Sequence, residues 1–584
     1  MNYTVIRSTE KAQSAVEQVL LNRGLTVDKI ARYLNPTADE IYPAEMLDNI
    51  ASAAKTLLKA LFKQEKVYVQ IDSDCDGYTS SALLLNYLHR IFPTTVENYF
   101  YYGLHEKKHH GINMDNIPEG TKLVIVPDAS SNEVDFHKEL AERGIEVIVL
   151  DHHEAPVDND DPAIIVNNQM CDYPNKALSG VGIVYKFCLV LDEILKVSYA
   201  DDYLDLVALG MIADMMDLRE LETRYYIVEG LKDIRNPLFL GLGQKNEFKI
   251  QGQYNPFTVS WYVSPFINAV TRSGTLEEKE TLFKSMLEYE AYKLVPSTKL
   301  RAKPGDEELL IDQAIRVSGN VKNRQDKGKT STLEMITEKV QELNEAGESV
   351  LIIQLEDSLD NNLNGLMANQ IIGEYQKPVL ILTKRDKDGV ITWEGSSRGF
   401  AMDGIPNWRS FIADSGYALY AEGHPFAFGT GFTPENLEGF KQYVKEYFSD
   451  KKIEPCYAVD FCWSGKELSQ MDNAILELAN SRHIWGQEVK EPMIAVNVIL
   501  KKENFALVGK GTLKITIPNT RTTCIKFGFG EERYEQIMSM FPTKDTSMRI
   551  VIVGNCRKNE YYGNVSPQIE IKDYDIWQMA EWIF

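Results

Sequence analysis

Three short β-forming runs, each ending in acidic or imidazole side chains, confine this chain to an open parallel α/β sheet with one charged edge. The first is Val67-Tyr-Val-Gln-Ile-Asp72-Ser-Asp74-Cys-Asp76-Gly77, followed at once by a helical pattern over Thr79–Leu88. The second, Leu123-Val-Ile-Val126, leads through Pro127 to Asp128, and the third, Val147-Ile-Val-Leu150, leads into Asp151-His152-His153. In an open parallel sheet the carboxyl ends of the strands share one edge, and ligands bind there. Carboxylates crowded at such an edge repel one another unless a cation sits among them. A fourth element, Tyr203–Met216, reads as an apolar helix carrying Asp214. Asp74, Asp76, Asp128, His152, His153 and Asp214 are therefore the expected metal ligands. Asp72 is expected at the edge of that shell and Asp151 as the residue that orients the histidine pair.

Carboxylate mixed with imidazole, without thiolate, suits Mn²⁺ or Mg²⁺ better than zinc. Cys75 lies between two of the aspartates, and alternation along an extended segment is expected to turn it to the opposite side. So anionic a set implies two ions. Held about 3.5–4 Å apart, these would clamp the attacking and leaving oxygens of a phosphoryl displacement and supply a hydroxide.

Asp-x-Asp-x-Asp-Gly, an isolated strand-end aspartate, Asp-His-His and Gly210-Met-Ile-Ala-Asp214, in this order, resemble the DHH phosphoesterase superfamily. Leu178-Ser-Gly180-Val-Gly182-Ile-Val-Tyr-Lys186-Phe is similar to the glycine-rich segment that this superfamily places after Asp-His-His. Asp72, Asp74, Asp76, Asp128, Asp151, His152, His153 and Asp214 would then be catalytic. Lys186 is expected to bind phosphate or transition-state charge. Further on, the strands Ser349–Gln354 and Pro378–Thr383 open a second α/β unit containing Gly395-Ser396-Ser397-Arg398-Gly399 and Glu422-Gly423-His424. These resemble the Gly-Ser-x-Arg and Gly-Gly-His signatures of the DHH-associated domain. The resemblance implies that Ser396, Ser397, Arg398, Gly423 and His424 hold the substrate's phosphate. Glu422 stands where that signature has glycine, and Asn361–Ala368 lacks the His-Pro-Gly of many relatives.

From about 452 onward, short alternating segments separated by Gly, Asn and Pro turns read as a small antiparallel barrel. Trp485-Gly-Gln-Glu-Val-Lys-Glu491-Pro492 and Thr522–Gly530 resemble the oligonucleotide-binding barrel of RecJ exonucleases. The expected organisation is a lead-in over 1–50 that packs on the catalytic domain, then a doubly wound DHH domain over 51–240. A helical linker over 241–347, a DHH-associated domain over 348–451 and the barrel over 452–584 complete it. The RecJ resemblance implies a single-strand-specific exonuclease acting on DNA from the 5′ end. A nano-RNase or cyclic-dinucleotide phosphodiesterase, a replication scaffold without activity and a metal-dependent pyrophosphatase are the alternatives.

At 584 residues the chain exceeds one core. Its net charge of −23 opposes general attraction to nucleic acid. The basic residues, however, are clumped. Lys501, Lys502, Lys510, Lys514, Arg521 and Lys526 form a candidate nucleic-acid track, with Phe527, Tyr561 and Tyr562 read mainly as core aromatics. Two further clusters are Lys299/Arg301/Lys303 and Arg316/Lys322/Arg324/Lys327/Lys329. Seven scattered cysteines fit a reducing cytoplasm, and no signal pattern or membrane span is expected. A helicase or a single-strand-binding protein is the kind of partner the resemblance implies, beside single-stranded DNA.

Overall fold

The protein is described from a computed structural model covering residues 1–578 apart from 108, 157, 159, 357–360, 388, 401, 403, 452, 454–455 and 562. The chain forms two compact units. One comprises Ser8–Lys322 with Asn480–Glu491, the other Met1–Arg7, Asn323–Ala479 and Pro492–Phe584.

The first unit is built on a five-stranded parallel sheet. Its elements in chain order are β1 (Val67–Gln70), α1 (Cys75–Ile91), β2 (Phe100–Gly103), β3 (Leu123–Pro127), α2 (Val134–Glu142), β4 (Glu146–Asp151) and β5 (Ile164–Asn167). The spatial order is β2-β1-β3-β4-β5, every neighbouring pair parallel. From β1 the chain crosses to β2 on one side and then to β3 on the other, so the crevice opens between the carboxyl ends of β1 and β3. β1 and β3 are buried at every residue, as strands covered on both faces must be. Helices α3 (Gly180–Leu195), α4 (Leu204–Ala213) and α5 (Leu221–Gly230) complete the layer that carries the glycine-rich segment and Asp214. α4 is apolar on all sides because α1, α3 and α5 surround it.

The expected linker over 241–347 differs from what is found. Helices between Pro237 and Met286, among them α6 (Pro256–Tyr262), and the hairpin Leu294–Pro296/Glu307–Leu309 all lie in the first unit. A single helix, α7 (Leu310–Glu345), then runs 36 residues, far longer than the pattern from 332 to 343. Gly347, at φ 77°, ends it in a conformation that glycine adopts without strain.

The second unit holds a mixed five-stranded sheet formed by β6 (Leu351–Leu355), β7 (Val379–Lys387), β8 (Val390–Arg398), β9 (Tyr420–His424) and β10 (Ala427–Phe432). Helices α8 (Asn361–Tyr375) and α9 (Trp408–Asp414) belong with it, and the strand order is β9-β10-β8-β7-β6. Alternation divides β7 between two cores: Leu380 and Leu382 pack with Trp393, Trp408 and Phe440, Val379 and Ile381 with Ile336, Met367 and Ile371. The carboxyl-terminal sheet has seven strands: β11 (Phe461–Ser464), β12 (Met493–Lys501), β13 (Phe505–Val508), β14 (Thr512–Thr516), β15 (Thr523–Lys526), β16 (Ser547–Tyr561) and β17 (Asn564–Gln578). It is not wholly antiparallel as expected. β11 with β12, and β15 with β17, run parallel, and the helix Leu468–Asn480 between β11 and β12 permits the first of these crossovers.

Of the expected lead-in over 1–50, the stretch from Ser8 on lies in the first unit with the catalytic sheet, and only Met1–Arg7 departs. Asn2–Val5 pairs in parallel with Cys456–Val459 of the second unit, and the terminal amine donates to Asp575 at 2.7 Å. No helix among the described residues is long and apolar enough to cross a membrane.

Candidate metal centre

The loop after β1 turns directly into α1, and this places the first acidic residues. Asp74 is the helix N-cap; its carboxylate accepts from the Gly77 N–H at 3.1 Å. Cys75 and Asp76 therefore sit in the first helical turn, so Cys75 is buried by helix geometry and not by strand alternation. Burial pushes its thiol well up, away from the reactive thiolate.

Asp76 points at the amino end of α3. The Ser179 hydroxyl and the N–H groups of Gly180 and Val181 donate to its carboxylate at 3.0, 2.6 and 3.2 Å. A carboxylate at the start of a 16-residue helix is favoured by the exposed amides there. Burial and the charge of Asp74 nevertheless push Asp76 up to about 6. Asp128 follows β3 in the left-handed region at φ 66°, which aims its side chain into the same crevice. Burial, then Asp76 and Asp74, raise its carboxyl well above the usual range, and the same three causes raise Asp214, which caps the end of α4.

His152 closes the cluster. Its Nε2 lies 3.2 Å from Asp128, 3.4 Å from Asp214 and 3.9 Å from Asp76. Burial, with His153 beside it, lowers its ring to about 4, so it is neutral and able to donate a lone pair. Asp128 Oδ1 and His152 Nε2 are both buried without a hydrogen-bond partner. Buried polar atoms seldom stay unpaired, and a shared cation satisfies both at once. The donor set thus fits a divalent metal.

Asp151 does different work. Its carboxylate accepts from the backbone N–H groups of Ser131, His152 and His153 and from His153 Nδ1 at 2.8 Å. Burial disfavours the charged His153 ring, but the Asp151 hydrogen bond and charge, with Asp214 and Asp72, outweigh it and push the ring up to about 9. Nδ1 is thereby committed to Asp151, and Nε2 would have to give up its proton before it could take a metal.

Asp72 accepts from His110 Nδ1 at 2.6 Å and from the Gly111 N–H at 3.3 Å. Donor atoms of Asp72, Asp74 and His110 lie within 4.8 Å of one another, as do those of Asp76, His152 and Asp214, and of Asp128, Asp151, His152 and His153. His110 was missed because it lies in a loop without periodicity. The one available signal was a His109-His110-Gly111 run soon after a strand.

Three glycines make the crowding possible. A β-carbon at Gly77 would meet the Asp72 Cβ at 2.6 Å, one at Gly180 the Asp128 carboxylate at 2.4 Å, and one at Gly210 the Asp76 carboxylate at 2.4 Å. The loop behind Asp128 is held by a buried network. Ser130, at φ 86°, donates to Glu133 at 2.5 Å and lies 3.1 Å from His137 Nε2, whose Nδ1 faces Asp161 at 2.9 Å. This Ser-His-Asp order resembles a nucleophilic triad. The serine and histidine are buried, however, and fix a strained loop.

Lys186 is corrected. Its ammonium is buried and donates to Glu222 and the Tyr42 carbonyl, each at 2.6 Å, and none of its contacts is with the carboxylate cluster. A helix-face lysine opposite a buried glutamate is spent on that pair.

In the second unit, Ser396 and Arg398 share one face of β8, and Ser397 takes the other. Ser397 is also corrected. It is fully buried, accepts from the Trp408 indole N–H at 2.9 Å and donates to the Val379 carbonyl, so it cannot meet a substrate. Arg398 is steadied by Asn369 at 2.8 Å and by the Ser397 carbonyl, and a β-carbon at Gly365 would stand 2.7 Å from its Nη2. Ser396 lines a cavity of about 150 Å³ with Asn364, Glu394, Gly395 and Tyr420. Asn364, whose buried Oδ1 has no partner, went unnoticed inside a segment distinguished only by its lack of His-Pro-Gly. Gly423 lies in β9 at φ 129°, where its carbonyl accepts from Arg409; the side chain of His424 lies outside the described residues.

The six basic residues of the expected track are spread over β12, β14, β15 and the turns between. Lys501 lies 3.9 Å from Asp545, Arg521 lies 3.7 Å from Asp472, and Lys526 donates to the Lys572 carbonyl. Lys510 sits in the turn between β13 and β14, Lys514 is half-buried on β14, and Lys502 follows β12. Phe527, just past the end of β15, and Tyr561, at the end of β16, are exposed and not core aromatics; Tyr562 lies outside the described residues. Of the other basic clusters, Lys299 and Arg316 both turn onto Glu308.

Sheet order, strand-end acids and the helix-capped Asp76 define a DHH-type protein, and residues 66–211 match the family described as DHH family, N-terminal domain. Residues 466–573 match the RecJ OB domain. The chain is 34% identical over 585 residues to YorK, a Bacillus subtilis SPbeta prophage-derived protein named as a single-strand DNA-specific exonuclease, covering 99% of this chain and 98% of that one. It is 26% identical over 590 residues to the single-stranded-DNA-specific exonuclease RecJ of Bacillus subtilis, covering 97% and 69%. The fold matches RecJ from Thermus thermophilus in complex with Mn²⁺, at a TM-score of 0.68 and 20% identity over 96% of this chain and 76% of that one. The chain belongs to the RecJ family.

Proposed function

We propose that this protein is a metal-dependent exonuclease that hydrolyses phosphodiester bonds of single-stranded DNA from the 5′ end. The observation that carries the reading is the convergence of Asp76, Asp128, His152 and Asp214 around two buried, unpartnered donor atoms. The names of the YorK and RecJ relatives support single-stranded DNA as substrate.

Asp74, Asp76, Asp128, His152, His153 and Asp214 are the residues that would hold Mn²⁺ or Mg²⁺, two ions in our assignment. Such ions, when bound, supply Lewis acidity and lower the pKa of water. The chain's own part is positional. The start of α3 fixes Asp76, Asp151 fixes the tautomer and orientation of His153, and His110 holds Asp72 against Asp74. Arg398 and Ser396, with Gly423 two strands away in the same sheet, are proposed to grip the terminal phosphate, since a planar guanidinium forks onto phosphate oxygens.

Lys501, Lys502, Lys510, Lys514, Arg521 and Lys526 are proposed to follow the strand's phosphates, with exposed Phe527 and Tyr561 available to bases. A helicase or single-strand-binding protein is the partner class that would supply such a strand. Seven cysteines, none of them in a disulfide, support a reducing, cytoplasmic setting.

The test is hydrolysis, with Mn²⁺, of single strands of DNA or RNA labelled at either end, beside a cyclic dinucleotide. Release of mononucleotides from the 5′ end of DNA is expected. Cleavage confined to the dinucleotide, or no cleavage at all, overturns the reading.

A further inference from the structure

Beside Asp214 the first unit carries an apolar cleft of about 300 Å³ that the metal centre does not use. A cavity of that size is at the lower end of small-ligand sites, roughly 300–1,000 Å³. Its rim begins at Met215, the residue after Asp214, which takes the left-handed region at φ 60° and leaves its side chain 61% exposed. Consecutive Cα atoms are about 3.8 Å apart, so the rim starts within one residue of a proposed metal ligand.

The opposite wall is α6. Asn255 forms a capping box with Thr258, and Pro256 opens the first turn, so this short helix is rigidly started. Phe257 and Trp261 stand four residues apart on one face, with ring centroids 6.0 Å apart and planes tilted by 36°. Trp261 is 64% exposed. Behind Phe257 the Arg482 guanidinium sits 4.2 Å from the ring centroid. Glu491 lines the cleft but lies 3.7 Å from Arg482, so its charge is answered there; Lys490 also lines it.

An exposed indole and an exposed methionine around a hollow are costly in water and mark a binding surface. We infer that this cleft, walled by Trp261, Phe257 and Met215, is a stacking site for the bases of the substrate strand next to the scissile phosphate. The inference rests on the nuclease reading above and adds where the bases go. Three features select bases over a protein partner. The cleft is continuous through the chain with Asp214, so the strand whose phosphate reaches the metals must lay its neighbouring bases close by. Two rings on one helix face offer flat surfaces, which every base can stack on without regard to sequence. Lys490 at the cleft suits the phosphates that accompany those bases.

The experiment compares wild type, Trp261→Phe and Trp261→Ala on a ten-nucleotide DNA strand and on a strand of equal length made of abasic tetrahydrofuran sites. Phe248→Ala, 91% exposed and outside the cleft, is the control. With Mn²⁺, Trp261→Ala is expected to raise KM on the base-bearing strand about 10-fold or more, with kcat held within about twofold. Trp261→Phe keeps most of the affinity, and all proteins treat the abasic strand alike. Fluorescence anisotropy of the labelled strands in EDTA, where nothing is hydrolysed, gives a second readout with the same order of variants. Equal behaviour of Trp261→Ala and wild type on the base-bearing strand, or an equal loss on the abasic one, overturns the inference. If wild type cleaves nothing while Trp261→Ala still loses binding of the base-bearing strand alone, the nuclease reading fails and the stacking site stands.

Discussion

Gly180→Ala is the sharpest probe of the metal centre because it adds one methyl group and removes no ligand. The new β-carbon would stand 2.4 Å from Asp128 Oδ1, 2.5 Å from its Cβ and 2.6 Å from its Cγ. Real β-carbons essentially never come within 3.0 Å of such atoms, and ordinary contact begins at 3.4 Å. Asp128 or the start of α3 must therefore move by about 0.5–1 Å. Neither has room to spare: Asp128 is buried in a left-handed conformation, and the Gly180 N–H is itself the 2.6 Å donor to Asp76. Two of the proposed ligands are disturbed together. A misplacement of about 1 Å at a reacting centre costs on the order of 100-fold in rate, and overpacking of this kind destabilises by about 1–3 kcal/mol. The assay is single-turnover hydrolysis of a 5′-labelled strand at saturating Mn²⁺, with thermal unfolding alongside. The control is Gly373→Ala in α8, where a β-carbon meets nothing within 4 Å and the helix gains up to about 1 kcal/mol. Gly180→Ala with a rate within about threefold of wild type would refute both the crowding argument and the assignment of Asp128 to the metals.

Lys186→Met should lower stability by about 3–5 kcal/mol by stranding the buried Glu222 charge. An unchanged unfolding midpoint with lost activity would return Lys186 to the reaction. Arg398→Lys keeps the charge but loses the fork, and is expected to raise KM for 5′-phosphorylated strands about 10-fold while sparing unphosphorylated ones. Equal effects on both would sink the phosphate grip. Mn²⁺ should raise the melting temperature of wild type, by about 2.7 kcal/mol of stabilisation at 100 times its Kd, and should not do so for His152→Ala. Burial alone would raise the Glu308 carboxyl, but the Thr298 N–H, Gln313, Arg316 and Ser297 more than offset it and hold it at about 2. Because the folded value lies below the unfolded one, its contribution is complete above about pH 4.5 and is lost as pH falls towards 2. Urea midpoints across that range should fall more steeply for wild type than for Glu308→Gln, and parallel slopes would show the carboxylate is idle.

The sheet and the acidic edge were legible because parallel strands buried on both faces read as apolar runs, and a carboxylate buried at the end of such a run costs free energy unless something binds it. β1, β3 and β4 lie where the pattern put them, and Asp76, Asp128, His152 and Asp214 meet. Local geometry was harder to read. Which aspartate caps α1 depends on where the backbone leaves the strand, and nothing in Asp-x-Asp-x-Asp distinguishes Asp74 from Asp72. Ser397 was grouped with Arg398 by motif, although strand alternation alone argues that the two face opposite ways. Lys186 looked catalytic because its partner Glu222 is remote in sequence. Lys299 and Arg316 read as parts of basic patches although both pair with nearby Glu308, because that pairing is set by the hairpin and the start of α7 and not by any pattern in the run of charges. A linear run of lysines does not say which strands it will be divided among.

The pairing of Asn2–Val5 with Cys456–Val459 has a consequence for the order in which the chain can fold. On the ribosome this first strand emerges about 450 residues ahead of its partner, and the terminal amine waits longer still for Asp575. Until then its backbone N–H and C=O groups form an open edge of the kind that recruits foreign strands. The catalytic half, Ser8–Lys322, apart from Asn480–Glu491, is synthesised entirely within that interval. Its sheet can form while the residues just upstream remain unpaired. The beginning of this chain is therefore among the last of its parts to reach its place.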